Sequence, residues 1–278
     1  MPEHTRNNLS YVHTRDVTVD NVENSPEGII LLSRSPTATQ PISEAELYAR
    51  PGYIVGREDS VNGVQFADLV LPRRSSASTT QPVAIKPVES AKHAVREHKV
   101  ANYLNRKGEQ LAFRPLGFTR WGNNFSTITE FDQGVVSYDN VLLQETHRPT
   151  ESEIAESLTV AAQTLIILND RGLAHGDFQV KNTASDINGR TRIIDLTTMR
   201  KLRDTEDVSD DISLYMESLT RFGTKESPVN QQQFDDYFLH KYEESIPDIF
   251  PEQRKSEVGM AITAIRDSLD FLIGPSSN

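Results

Sequence analysis

The stretch that decides the reading is His175-Gly176-Asp177-Phe178-Gln179-Val180-Lys181-Asn182. A His-Gly pair leads into an aspartate, and an asparagine follows five residues later. Upstream, Thr150-Glu151-Ser152-Glu153 is a Thr-x-x-Glu capping box, in which hydroxyl and carboxylate each satisfy a free backbone N–H at a helix start. Ile154, Leu158, Ala161, Leu165 and Leu168 recur behind it at helical spacing and form one apolar stripe. Gly172 stands where that helix should end in a left-handed residue. The loop therefore starts directly behind a long packed helix. Downstream, Asn188-Gly189 predicts a two-residue hairpin turn, and the strand Arg192-Ile193-Ile194 brings Asp195 to its end.

Two carboxylates and an amide placed this way can converge on one point. Their oxygens suit Mg2+, a hard cation that keeps several waters and takes few protein ligands. Asn182 and Asp195 are the expected metal ligands, and Asp177 the expected acceptor of a substrate proton. Phosphoryl transfer asks for this set: clamped phosphates, a bridging metal, and a hydroxyl aligned near a base.

The segment resembles the catalytic loop of protein-kinase-like enzymes, in the His-Gly-Asp branch that includes aminoglycoside phosphotransferases, RIO kinases and lipopolysaccharide kinases. The resemblance implies that Asp177 is the catalytic aspartate, Asn182 the metal-binding asparagine, and Asp195 the aspartate of the Asp-Phe-Gly position. Leu196-Thr197 follows Asp195 here in place of Phe-Gly. It also implies that His175 braces the loop, and that an aspartate in Asp207-Val-Ser-Asp210-Asp211, Asp211 or else Asp210, supports it from below. Only residues 196–210 separate Asp195 from Asp211, too few for the long activation segment of conventional protein kinases. Gln179 stands where protein serine/threonine kinases carry a lysine that steadies the transferred phosphate. Lys181 is expected to reach the phosphates instead.

Val83-Ala84-Ile85-Lys86 is similar to the strand that carries the family's phosphate-binding lysine. Glu97, on a helix expected over about 90–106, is its implied partner, with Glu89 as the alternative. No Gly-x-Gly-x-x-Gly occurs. Gly56 to Gly63 stands in its place, between strands expected at Tyr53–Val55 and Val64–Leu71. There Ser60, Asn62 and Gly63 would offer backbone N–H groups to phosphate. A hairpin is expected around Gly122-Asn123-Asn124, after which the backbone from Glu130 to Asp132 would meet adenine. The hydroxyl-rich loop from Arg73 to Thr80 makes Ser75 or Ser76 a candidate autophosphorylation site.

The architecture expected is α+β, a bilobal protein-kinase-like fold. Residues 1–27 read as a polar, loosely ordered arm. Residues 28–132 read as an N-terminal lobe of antiparallel sheet plus one helix, and 133–278 as a mainly helical C-terminal lobe with helices near 210–222, 231–244 and 253–272. The resemblance implies ATP and Mg2+ as cofactors and transfer of the γ-phosphate to an alcohol group. Three acceptor readings stay open: an atypical serine/threonine protein kinase, a kinase of a sugar or antibiotic, and a nucleotide-binding pseudokinase that regulates a protein partner.

Composition narrows the classes further. A net charge of −11 over 278 residues argues against nucleic acid, whose backbone is bound by clustered Lys and Arg. Without cysteine the chain has neither disulfides nor thiolate metal sites. No apolar run approaches a membrane span, and Met1-Pro-Glu-His-Thr-Arg-Asn-Asn8 lacks the features of a secretory signal. A cytoplasmic protein is expected.

Overall fold

The first strand, β1 (Arg6–Thr14), lies where the sequence predicts a loosely ordered arm. Leu9, Tyr11 and His13 alternate with Asn8, Ser10 and Val12, a period-two pattern too polar to stand out. Pairing on both edges defines it, parallel to β2 (Ile29–Ser33) and antiparallel to β3 (Arg50–Val61). A parallel pair needs a crossover. The segment containing α1 (Val19–Glu23) supplies it, capped by the Thr18 hydroxyl, which accepts the Asn21 N–H at 3.2 Å. In this computed structural model the described residues are 6–14, 17–25, 27, 29–33, 50–61, 63–71, 79–106, 110–131, 134–143, 148–186, 188–221 and 228–272. The predicted sites at Asn62, Ser75, Ser76 and Asp132 lie outside them.

The chain divides into two compact units, Met1–Gln133 and Gly134–Asn278. In the first, β4 (Val64–Leu71), β5 (Thr79–Val88), α2 (Ala91–Leu104), β6 (Pro115–Trp121) and β7 (Asn124–Glu130) follow the three opening strands. The sheet closes into a barrel of order β1-β2-β6-β7-β5-β4-β3. Every pairing is antiparallel except β1 with β2, and α1 accompanies α2, where an all-antiparallel sheet with one helix was expected. β3 also runs past Val55, the end predicted for it, as far as Val61, with a register shift between Gly56 and Ser60. Such an irregularity lets a strand bend without ending. Ala67, Leu69, Val83 and Ile128 fill one core, while Ala91, Ala94 and Val95 of α2 pack with Val22 and Phe118 in another.

The second unit carries β8 (Val136–Ser137), α3 (Asp139–Leu142) and the long α4 (Glu151–Asp170). The capping box is present: Thr150 N–H donates to Glu153 Oε2 at 2.7 Å and Glu153 N–H to Thr150 Oγ1 at 3.3 Å. All five residues of the predicted stripe are buried, as are Val160, Ala162 and Thr164. The helix is thus buried over more of its circumference than one stripe covers. β9 (Leu173–Ala174) follows Gly172, whose φ is +68°. β10 (Thr183–Ser185) and β11 (Thr191–Ile193) pair antiparallel, and β12 (Arg200–Lys201) pairs with β9. The β10–β11 turn is wider than the two residues predicted. Asp186 closes it, accepting the N–H groups of Asn188 and Arg190 at 2.9 and 3.0 Å while pairing with Arg192 at 3.0 Å.

The described residues from 205 onward form mainly helices: α5 (Thr205–Arg221), α6 (Gln231–Phe234), a π-helical turn Asp235–Leu239, α7 (His240–Ile249) and α8 (Glu252–Leu272). Tyr215 of α5 stacks on Phe178 and Phe238, so the loop His175–Asn182 is anchored to the aromatic centre of this unit. Mixed α+β architecture is therefore established. Among the described residues no helix is long and apolar enough to cross a membrane.

One buried titratable group carries a stability consequence. His98 of α2 is 5% exposed, with its ring 5.2 Å from that of Phe118. Burial, and secondarily the Lys99 charge, lower its pKa to about 4. The folded chain then binds this proton less readily than the unfolded chain. Stability should fall as pH drops from about 6.5 to about 4, by on the order of 3 kcal/mol. His98→Leu should flatten that part of the profile; urea midpoints at pH 7 and pH 4.5 check it, and an undiminished slope in the variant would refute the assignment.

Candidate active site

Three elements deliver the loop from His175 to Asn182. β9 leads in, a 3₁₀ turn at Val180–Asn182 leads out, and β10 follows directly. The flanking side chains Phe178 and Val180 are fully buried. The Val180 N–H donates to Ser218 Oγ of α5 at 3.0 Å.

The entry to the loop hangs on Asp211. Its carboxylate accepts the His175 N–H at 2.7 Å and the Gly176 N–H at 2.8 Å, one on each oxygen, and the residue is wholly buried. Burial pushes the Asp211 carboxyl up to about 6, against the pull of the two donors. Asp210, the alternative, is exposed and lies 3.9 Å from Arg200. The brace is Asp211.

His175 is equally committed. Its Nδ1 accepts the Asp177 N–H at 3.4 Å and its Nε2 lies 3.1 Å from the Ile194 carbonyl, which sets a neutral ring protonated on Nε2. With both nitrogens used inside the protein, this imidazole is a brace between loop and β11. Gly176 has a φ of +78°, and a Cβ there would clash with Arg200 Nη1 and lie 2.9 Å from the Thr198 carbonyl oxygen. Arg200 in turn is fixed by Asp207, which it meets at 2.8 and 2.7 Å.

Asp177 and Asn182 meet directly. The Asn182 amide donates to the Asp177 carbonyl at 2.8 Å and to its Oδ2 at 3.2 Å. The Gln179 amide donates to Oδ1 at 2.5 Å. Asp195 is brought alongside through its neighbour: Ile194 N–H donates to the Asn182 carbonyl at 3.3 Å while its carbonyl faces His175. Asp195 has a φ of 55°, unusual for a residue with a Cβ, and such strain gathers at functional sites. Thr197 Oγ1 donates to Asp195 Oδ1 at 2.5 Å, and Thr198 Oγ1 to the His175 carbonyl at 3.0 Å. Among the described residues no three His, Asp or Glu side chains gather as a metal cage. The predicted set is sparser. The residues that could hold Mg2+ are Asn182, whose NH2 is turned to Asp177, and Asp195; oxygens of this kind suit a cation that keeps most of its waters. Lys181 lies half-buried within the 3₁₀ turn.

The remaining candidates belong to the first unit. Lys86 of β5 lies opposite Thr127 of β7, and its Nζ is 3.5 Å from Glu97 Oε1 on α2. Glu97 is buried, whereas Glu89 is exposed and faces His93 at 3.4 Å. Glu97, then, is the partner. Ser60 falls inside β3, registered against Gln65, instead of in an open loop, because the β3–β4 ladder continues to Val61. Gly63 lies in the turn with a φ of +79°. The Glu130 N–H donates to the Arg114 carbonyl at 2.8 Å and the Phe131 N–H to the Pro82 carbonyl at 3.0 Å. Both N–H groups are spent on the sheet. The Glu130 carboxylate is engaged too, by Gln81 at 2.5 Å and Arg114 at 3.0 Å.

The contacts of Gln179, Thr197, Thr198 and Arg200 are not visible in the sequence. The one local signal is the threonine pair Thr197-Thr198, which follows Asp195 after Leu196. No protein-family model matches this chain, and no curated protein matches it either.

The brace is open to direct test. Asp211→Asn puts an NH2 group against one of two backbone donors, a loss of about 1–3 kcal/mol, and Gly176→Ala adds strain and a clash. Each should lower the thermal midpoint by several degrees, while Asp210→Asn leaves it unchanged. Equal losses in the Asp210 and Asp211 variants would contradict the arrangement.

Proposed function

We propose that this chain is an ATP- and Mg2+-dependent phosphotransferase that moves the γ-phosphate to a hydroxyl, acting as an atypical serine/threonine protein kinase. The observation that carries the reading is the loop itself: Asp177 hydrogen-bonded to Asn182, on a backbone whose preceding N–H groups are fixed by buried Asp211. A half-buried carboxylate held by amides has the makings of a base with a fixed direction.

The residues divide the work as follows. Asp177 takes the proton of the acceptor hydroxyl as its oxygen bonds to the γ-phosphorus and the bond from that phosphorus to the β–γ bridging oxygen breaks, leaving ADP. Asn182 and Asp195 hold the metal, which when bound neutralises charge on the phosphate oxygens. Lys86, oriented by Glu97, contacts the nucleotide phosphates, and Lys181 supplies a second cation. In this reading the barrel unit and the mainly helical unit are the N- and C-lobes of a kinase-like fold, and the protein works in the cytoplasm. The short stretch 196–204 between Asp195 and α5 supports an atypical enzyme, without a long activation segment.

Incubation with γ-labelled ATP and Mg2+ should place label on a protein, tested with casein, myelin basic protein and the chain itself. Label on a sugar or aminoglycoside instead would redirect the reading to a small-molecule kinase, and label on none of these would favour the nucleotide-binding pseudokinase. Asp177→Ala should abolish transfer and leave ATP binding intact; full activity in that variant would refute the assignment.

A further inference from the structure

Gln179 occupies the centre of the loop yet has no part in the chemistry set out above. Its backbone is extended (φ −132°, ψ 161°) between Phe178 and Val180, two fully buried anchors, and its carbonyl accepts the Asn182 N–H at 2.9 Å. The backbone is therefore fixed on both sides, and the half-buried side chain emerges between the anchors. There its Nε2 donates to Asp177 Oδ1 at 2.5 Å, while Asn182 Nδ2 reaches Oδ2 at 3.2 Å. Each oxygen of this carboxylate thus receives one amide N–H, from residues on either side of the same turn.

We propose that Gln179 is a positioning residue for Asp177: its amide fixes the rotation of the carboxylate so that a lone pair stays aimed at the incoming hydroxyl. This rests on the phosphotransferase reading. Two donors on opposite oxygens set a torsion that one donor leaves loose, and a carboxylate misaimed by a fraction of an ångström loses much of its use as a base. Hydrogen bonds to a charged acceptor are strong enough for the task. The donor is also neutral. It orients the base without bringing a cation to the transferred phosphate, so Gln179 acts through Asp177 and leaves charge compensation to the lysines and the metal.

The test uses the full-length chain, γ-labelled ATP, Mg2+ and myelin basic protein. Gln179→Met keeps the length and removes the donor; it should lower kcat about ten- to a hundredfold, with KM for ATP within about twofold of wild type. Gln179→Glu adds a like charge beside Asp177 and should fall below the Met variant, whereas Gln179→Lys, which still donates, should recover most of the loss. Thermal midpoints should match wild type in all three. Wild-type kcat in the Met variant, a Glu variant as active as Met, or a loss confined to KM or to the midpoint would overturn the role. A binding readout runs in parallel: the Gln179 side-chain amide resonance, identified by its loss in Gln179→Met, should move in Asp177→Ala, and an unmoved signal would also overturn it. A wild-type chain that transfers no phosphate removes the phosphotransferase reading and this role with it. An active wild type with an indifferent Gln179 removes the role alone.

Discussion

Two successive backbone N–H groups, those of His175 and Gly176, are turned toward the interior of the second unit, and the buried carboxylate of Asp211 receives both. A buried donor without an acceptor costs as much as several good contacts gain, so this pairing sets the path of everything downstream. With it in place, Gly176 adopts its left-handed turn, Phe178 and Val180 enter the core, and Asp177, just before Phe178, stays half-buried. His175 then ties the same turn to β11, which fixes where Asp195 begins. The geometry of the candidate site is in this sense a consequence of where one aspartate of α5 can reach.

The polar groups around it form a chain of commitments with few spare partners. Arg200 lies against Gly176, Asp207 holds Arg200, and the Asp207 carboxylate also accepts the Arg203 N–H at 2.8 Å. Thr198 closes on the His175 carbonyl and Thr197 on Asp195. Networks of this kind are stable only when every member is satisfied. They also give a loop without regular secondary structure the rigidity that a preorganised site demands. Gln179 belongs to the same logic, since its amide meets the only carboxylate oxygen of Asp177 that Asn182 does not bond.

Legibility from sequence followed the range of the interaction. The helix behind Thr150 was readable because a cap and its stripe repeat over three or four residues. The preference for Asp211 over Asp210, and for Glu97 over Glu89, came from the family resemblance and matches the contacts observed. Residue type alone could not make it, because adjacent or nearby acids differ only in which face of a helix or loop meets the interior. The strand character of residues 6–14 and the extension of β3 to Val61 were hidden for a related reason: ladder partners lie far along the chain, and polar residues such as Asn8, Ser10 and Asp59 blur the alternation. The β10–β11 turn widened because a buried Asp186–Arg192 pair, invisible to a turn rule, was satisfied by closing it.

By itself the sequence determined the order of a polar, strand-rich first part and a helical second part. It also determined the identity of the acids, amide and lysine available for chemistry, and the start of the helix that precedes them. Those features depend on residue type and short spacing. Tertiary structure alone decided that a barrel closes through β1 and β3, and that Gln179 and Asn182 grip opposite oxygens of Asp177. Each of these depends on burial and on partners brought together by the fold, and desolvation makes a buried polar group insist on a specific partner in a way that no local pattern records.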